Sequence, residues 1–171
     1  MPNWCDNYVE IKGPKKILDE IEDIVKEENN DKERKHGLLN YLRPIPEKEK
    51  ENWYQWSVDN WGTKWDVTEF HGSVREDNMI SFSFMSAWGP PTEAYTYFLN
   101  NNEDVTVDAK YYEPGMDFAG IYNDGDEDSY TLSEAAPKGS KDEFWQTEDG
   151  KILDDTFSIS EDMASYEENE E

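Results

Sequence analysis

The chain has 171 residues, of which 35% are hydrophobic and 14% aromatic, and its 41 acidic and 16 basic side chains give a net charge of −25. This length favours one domain with an appendage. The sequence has no apolar run of about 18 residues, which argues against a membrane span. So much negative charge disfavours direct binding to nucleic acid. The N-terminal residues do not resemble a secretory signal, and one cysteine, Cys5, cannot form an internal disulfide, so we expect a cytoplasmic protein.

The first part of the chain predicts a strand and then a helix. Residues 5–13 alternate in polarity, as a strand does, and a Gly-Pro pair ends them. Apolar residues then recur at spacings of three and four and predict an amphipathic helix over 14–28. Two prolines in 38–46 favour an extended segment, and 47–58 predicts a short helix.

The central part of the chain predicts an alternating series of strands with one more helix. The helix is expected at 92–101, and strands are expected at 64–70, 79–88, 104–112, 118–122 and 129–135. This order contains the split β-α-β unit of a ferredoxin-like sandwich, in which an antiparallel sheet carries two helices on one face. We therefore predict an α+β fold: a ferredoxin-like domain over 1–135 with a Trp-rich insert, and an acidic C-terminal extension over 136–171.

Several long stretches carry a family resemblance. MPNWCDNYVEIKG, LRPIP, WYQWSVDNWGTKWD, SFMSAWGPP and YYEPGMDFAG stand in an order and spacing that resemble the YubB-type ferredoxin-like family of plasmid and phage proteins, over residues 1–122. The resemblance implies a ferredoxin-like fold and an origin on a mobile genetic element, and it supplies no catalytic residue. The word ferredoxin describes topology only, because a single cysteine cannot hold an iron–sulfur cluster, which takes four ligands. We expect no cofactor.

Four of the seven tryptophans lie between residues 52 and 66. In one interpretation the indoles are structural: Gly62 makes a tight turn, and one end of the sheet is closed by Trp4, Trp61, Trp65 and Trp88. In another interpretation the cluster binds a small ligand, a nucleotide or a sugar, which stacks on an indole and contacts a lysine. The residues of this ligand site are then Trp56, Trp61, Lys64 and Trp88. A third interpretation is an aromatic patch that binds a protein partner.

Catalytic and metal motifs are weak. Asp124, Asp126 and Asp128 begin like a calcium loop, but Ser129 and Ala135 stand where that loop needs Gly and Glu, so we predict no specific calcium site. The only histidines, His36 and His71, have no spacing to Cys5 that indicates a nucleophile pair. The zinc, phosphate-loop, GxSxG and dinucleotide patterns are also missing from the sequence, and we expect a protein that is not an enzyme.

The extension carries 12 acidic residues between Asp142 and Glu171, interspersed with apolar ones. A turn signal at 148–151 predicts a hairpin of two strands, at 143–147 and 151–159. Carboxylates along one face of a strand repeat at about 6.6–7 Å, close to the phosphate spacing along one nucleic-acid strand. The final residues EENEE are expected to be disordered. The alternative is a loosely ordered tail that aids solubility or meets a partner.

These features favour a non-enzymatic binding protein from a phage or plasmid, whose acidic surface occupies the basic nucleic-acid-binding groove of a host protein, for example a defence nuclease or CRISPR effector. Binding should then weaken steeply with added salt. The residues predicted to contact the partner are Asp142, Glu143, Asp149, Asp154, Asp155, Glu161 and Asp162. Two hypotheses compete with it: the small-ligand module that uses the tryptophans, and an enzyme that uses acidic side chains and a divalent metal.

Overall fold

The structure of the chain is a computed structural model that describes residues 3–26 and 37–169. The strands of this part of the chain are β1 (Trp4–Lys12), β2 (His71–Glu76), β3 (Met79–Ala87), β4 (Thr106–Glu113), β5 (Phe118–Asn123) and β6 (Asp126–Thr131). Its α-helices are α1 (Lys15–Lys26), α2 (Leu38–Leu42), α3 (Trp53–Trp61), α4 (Thr92–Asn100), α5 (Leu132–Ala135), α6 (Glu148–Phe157) and α7 (Ile159–Asn169). Of these helices, none is long and apolar enough to cross a membrane.

The six strands form one sheet in the order β2-β3-β1-β4-β5-β6, and every neighbouring pair is antiparallel. The predicted α+β class with an antiparallel sheet is therefore confirmed. Helix α1 lies in the chain between β1 and β2, and α4 connects β3 to β4. β5 and β6 extend the sheet beyond β4 as consecutive hairpins, with Asp124 and Gly125 at positive φ in the two-residue turn between them, as a type I′ turn requires.

One face of the sheet, here the first face, packs against α1 and α4. Alternation places Val9 and Ile11 of β1 on this face, where they meet Leu18 and Ile21 of α1. The spacing of three between the two helical residues puts both on one side of α1, as the sequence pattern predicts. The same core takes in Phe98 of α4, so both crossover helices cover the first face.

The opposite face, here the second face, has a separate core under the C-terminal helices. Tyr112 of β4 and Ala119 of β5 pack against Trp145, Leu153 and Ile159. We call residues 136–169 the acidic layer. It covers the second face over β4 and β5, and its buried apolar residues are engaged in this packing.

The predicted hairpin at 143–147 and 151–159 is wrong, because residues Glu143–Gln146 form a 3₁₀ helix and α6 and the start of α7 occupy 148–159. Thr147 caps α6 by accepting a hydrogen bond from the Gly150 N–H, and the acidic residues that follow it suit a helix N-terminus. Gly150, part of the expected turn, lies within the helix, where a Cβ atom would come 1.9 Å from the carbonyl oxygen of Phe144. Helix α7 extends to Asn169, so residues 167–169, for which the sequence predicts disorder, are helical in the structure.

Three further expectations are corrected. Residues 64–70 form no strand, and the edge strand β2 begins at His71. The segment 38–46 begins with a short helix, α2, before its prolines. The last predicted strand, 129–135, ends at Thr131 and continues as α5. Residues 27 and 28 of the first predicted helix, and residues 170 and 171, lie outside the described residues.

Candidate functional site

Three of the seven predicted partner-binding carboxylates hold the acidic layer together. The Asp142 carboxylate accepts hydrogen bonds from the Phe144 N–H, at 2.9 Å, and the Lys138 N–H, at 3.0 Å. These donors lower the pKa of Asp142 below its ordinary value, as hydrogen bonds to a charged form do. Asp142 therefore has a structural task, whatever else it contacts.

Asp149 and Asp154 are engaged in the same way. Asp149 accepts a hydrogen bond from the hydroxyl of Tyr130 on β6, which raises the pKa of Tyr130 to about 12. Asp154 accepts from the N–H of Ser160 at 2.7 Å and from its hydroxyl at 2.8 Å, and so caps the start of α7. Both carboxylates tie α6 to its neighbours.

The other four predicted residues, Glu143, Asp155, Glu161 and Asp162, are exposed on the acidic layer. Asp162 lies beside the sheet, where its charge reinforces the effect of burial in raising the pKa of the Tyr112 hydroxyl. The structure therefore divides the predicted set into carboxylates that support the helices and carboxylates that face solvent.

The basic side chains that form ion pairs with carboxylates are distributed unevenly along the chain. Every ion pair among the described residues lies between Glu10 and Lys110. Within the described chain, no carboxylate from Glu113 to Glu168 has a lysine, arginine or histidine nitrogen within 4.0 Å. Residues 121–171 carry 17 acidic and three basic side chains. This part of the chain therefore keeps a large excess of negative charge, with no ion pair among its described residues.

The tryptophans of the alternative ligand site belong to two places. Trp61 is 2% exposed and lies in the first core, where its indole N–H donates to the Arg43 carbonyl oxygen at 2.9 Å. Trp56 packs edge-on against it, with ring centroids 5.6 Å apart. Gly62 ends α3 with φ of 86°, as a tight turn requires. A side chain as buried as Trp61 offers no face to a ligand, so the packing interpretation fits this pair.

Lys64 and Trp88 lie elsewhere, in a group of aromatic rings at the surface. The Lys64 Nζ atom is 4.9 Å from the ring centroid of Trp88, 4.8 Å from that of Trp65 and 5.5 Å from that of Tyr54. These are cation–π distances. On the other side, Trp65 meets Trp4, with ring centroids 6.1 Å apart and planes tilted by 57°. We call Trp4, Tyr54, Lys64, Trp65 and Trp88 the indole surface.

The backbone under the indole surface is held firmly. Trp88 has φ of 70°, a conformation that is unusual for a bulky residue, and it is 45% exposed. The hydroxyl of Ser86 accepts from the Asn7 amide at 2.8 Å and donates to the Gly89 carbonyl oxygen at 2.6 Å. Thr63 donates to the Ala87 carbonyl oxygen at 2.7 Å. These bonds bring residues 63–65 beside the end of β3 and keep Trp88 outside the core.

The remaining candidate residues do not form a reactive site. Cys5 is buried, and that burial strongly raises the pKa of its thiol, so it is a poor nucleophile. His71 is exposed at the start of β2, and His36 lies outside the described residues. Asp124 accepts from the Val107 N–H at 2.7 Å and so secures the β5–β6 turn. Among the described residues, no three acidic, histidine or cysteine side chains converge as a metal site requires.

Sequence reasoning missed Asp66, whose carboxylate organises the start of α2. It accepts from the N–H groups of Gly37 at 3.0 Å, Leu39 at 2.7 Å and Asn40 at 3.2 Å, and from that of its neighbour Val67. Burial raises the pKa of Asp66, and these donors oppose the rise. A cap taken from 26 to 29 residues away leaves no local sequence signal.

No protein-family model matches the chain, and no curated protein matches it. Among solved structures, the crystal structure of the protein api92 from Yersinia pseudotuberculosis, of family DUF1281, is similar to this chain, with a TM-score of 0.46 and 11% sequence identity over 76% of this chain and 98% of that one. A likeness of this degree assigns neither a family nor a function to the chain.

Proposed function

We propose that the protein is a non-enzymatic acidic binding protein, encoded by a phage or plasmid, that occupies the basic nucleic-acid-binding surface of a host protein. The observation that supports this most is the lack of ion pairs, within the described chain, for the carboxylates from Glu113 to Glu168. Carboxylates on helices that have no ion pair attract a basic surface without first breaking internal pairs. Their combined field also speeds association with such a surface.

The acidic side chains stand on helices and not on the hairpin that the sequence predicts. Along a helix the backbone rises about 1.5 Å per residue, and one turn spans about 5.4 Å. The carboxylates of α6 and α7 therefore do not reproduce the spacing of an extended strand. We propose that the match to the partner is one of charge density, in which Glu143, Asp155, Glu161 and Asp162 bind the basic surface.

We also propose that β1 to β4, α1 and α4 are a ferredoxin-like core, with the Trp-rich segment before β2 as an insert. The order β-α-β-β-α-β and the strand order β2-β3-β1-β4 support this. β5, β6 and the acidic layer are then additions to the core. The resemblance to the YubB-type family supports an origin on a mobile element and adds no activity.

A charge-matched pair of triple variants tests the function. The first removes three exposed carboxylates of the acidic layer: Glu143→Gln, Asp155→Asn and Glu161→Gln. The control removes the same charge elsewhere, at exposed positions without an ion pair in the described chain: Glu51→Gln, Asp77→Asn and Glu103→Gln. Each protein is immobilised, exposed to host lysate at low salt and eluted with a salt gradient. The captured host protein is then loaded with DNA or RNA, and we measure the concentration of each variant that releases this nucleic acid.

The wild type and the control should release the nucleic acid at similar concentrations. The acidic-layer variant should need at least roughly tenfold more protein, because removing a charge from a complementary interface weakens binding. If both triple variants are equally potent, or if the captured complex survives molar salt, the acidic layer does not act as proposed.

A further inference from the structure

A cavity of about 660 Å³ opens beside the indole surface, at the outer edge of β3. β2 begins opposite Ser83, so β3 has no paired strand on that side beyond Ser83 among the described residues. The segment 65–70 passes this edge without joining the sheet. The cavity lies between them and is lined chiefly by Trp4, Trp65, Glu69, Phe70, His71 and Met85. Its volume is within the range of small-ligand sites.

The aromatic wall of the cavity is suited to a cation. Trp4 and Trp65 present two tilted rings with centroids 6.1 Å apart, and an indole ring is the strongest aromatic partner of a positive charge. The Lys64 ammonium group lies 4.8 Å from the ring centroid of Trp65, so this indole already makes one cation–π contact. Lys64 itself does not line the cavity, and neither lysine nor arginine is among the described lining residues.

One exposed carboxylate, that of Glu69, lines the cavity. The carboxylate of Asp66, by contrast, is already bonded to backbone N–H groups. Asp6 lies nearby on the second face: burial raises the pKa of its carboxyl, and the charges of His71 and Asp162 act on it in opposite directions. A cation that enters the cavity therefore meets two indoles and the exposed carboxylate of Glu69.

We propose that this cavity binds the guanidinium or alkylammonium group at the end of a larger molecule, held against Trp4 and Trp65 with Glu69 as its counter-ion. The volume exceeds that of the cationic group alone and leaves room for the chain attached to it. This site uses different residues from the acidic layer, so it can be tested independently of the proposed function.

The test is a titration of the full-length protein followed by the indole N–H resonances in ¹H–¹⁵N spectra, at constant ionic strength. The probes are N-acetylarginine methylamide, its neutral analogue N-acetylcitrulline methylamide, and tetramethylammonium chloride. The variants are Trp4→Leu and Glu69→Gln. Trp53→Leu is the matched control, because Trp53 is 44% exposed, against 43% for Trp4, and does not line the cavity.

The arginine probe should shift the indole resonances of Trp4 and Trp65 and reach saturation, and the citrulline probe should not. Trp4→Leu and Glu69→Gln should each weaken binding roughly threefold or more, the scale of one cation–π or ionic interaction, while Trp53→Leu should leave it unchanged. If Trp4→Leu disturbs the fold, the exposed Glu69→Gln change decides the question. Stronger binding of the arginine probe than of tetramethylammonium assigns the cavity to a guanidinium group, and the reverse assigns it to an alkylammonium group at the end of a larger molecule.

Two results would overturn the proposal. One is equal binding of the citrulline probe, which would make the cavity an apolar site without charge preference. The other is a shift that grows with concentration without saturating, which is diffuse attraction to a chain of net charge −25. Failure of the triple variant in the acidic layer would not affect either result.

Discussion

The carboxylate of Asp66 offers a direct test of how the segment before β2 is held. Asp66→Ala removes the acceptor for the N–H groups of Gly37, Leu39 and Asn40 at the start of α2. Loss of a single helix cap costs about 1 kcal/mol, and hydrogen bonds to a charged group contribute about 1.5–3 kcal/mol each. Because water reaches part of the site, we expect a loss of about 3 kcal/mol in the free energy of unfolding.

Urea unfolding measures this loss. With a slope of about 2 kcal/mol per molar urea for a protein of this size, the midpoint should fall by about 1.5 M. Asp66→Asn keeps one acceptor oxygen and should lose about half as much. Asp59→Ala is the control, because its carboxylate accepts from the Gln55 side chain on the surface of α3; its midpoint should hardly move. A fall for Asp66→Ala no larger than that of Asp59→Ala would refute the role given to this carboxylate.

Other changes test separate parts of the molecule. Trp61→Phe should lower the free energy of unfolding in urea by about 2 kcal/mol, because it opens space in the first core and leaves a carbonyl oxygen unpaired. Trp53→Phe on the surface should lower it by less than about 0.5 kcal/mol. Equal losses would contradict the buried role of Trp61. Gly120→Ala would place a Cβ 2.3 Å from the Tyr111 hydroxyl, and this overpacking should lower the melting temperature by about 4–8 °C; an unchanged melting temperature would contradict the close packing. Hydrogen bonds from Ser140 lower the pKa of Glu167 below 4.5, so the stability they add is present above that pH and is lost as the pH falls through the folded-state pKa. The ¹³C resonance of the Glu167 carboxyl should titrate below pH 4.5, and a midpoint at or above that value would rule the contact out.

Much of the sheet and its first core can be predicted, because apolar residues recur at a period of two in the strands and at spacings of three and four in the helices. β1, β3, β4 and their helices α1 and α4 all lie close to the expected ranges. In these elements the apolar residues that pattern the segment are the ones that pack on the sheet. Local pattern and tertiary burial agree, so the pattern alone is sufficient.

The predictions for the acidic layer and the segment 64–70 are wrong for a different reason. In the layer, Gly150 suggests a turn, whereas close contact with the Phe144 carbonyl requires a glycine inside a helix. In the segment 64–70, alternation suggests a strand, but Asp66 is recruited to cap α2. Each error arises where a residue serves a partner that is distant in the sequence or packs closely on backbone.

The net charge, its concentration after residue 120 and the antiparallel α+β frame can be read from the sequence, because composition and short-range periodicity are local properties. The folded structure is needed to tell which carboxylates support helices and which face solvent, and which indoles lie in the core and which on the surface. Trp61 and Trp88 are the same residue type in similar aromatic surroundings, yet a hydrogen bond to Arg43 accompanies the burial of one and a positive φ keeps the other exposed. Such differences depend on contacts between segments remote in sequence, and therefore appear only once the chain is folded.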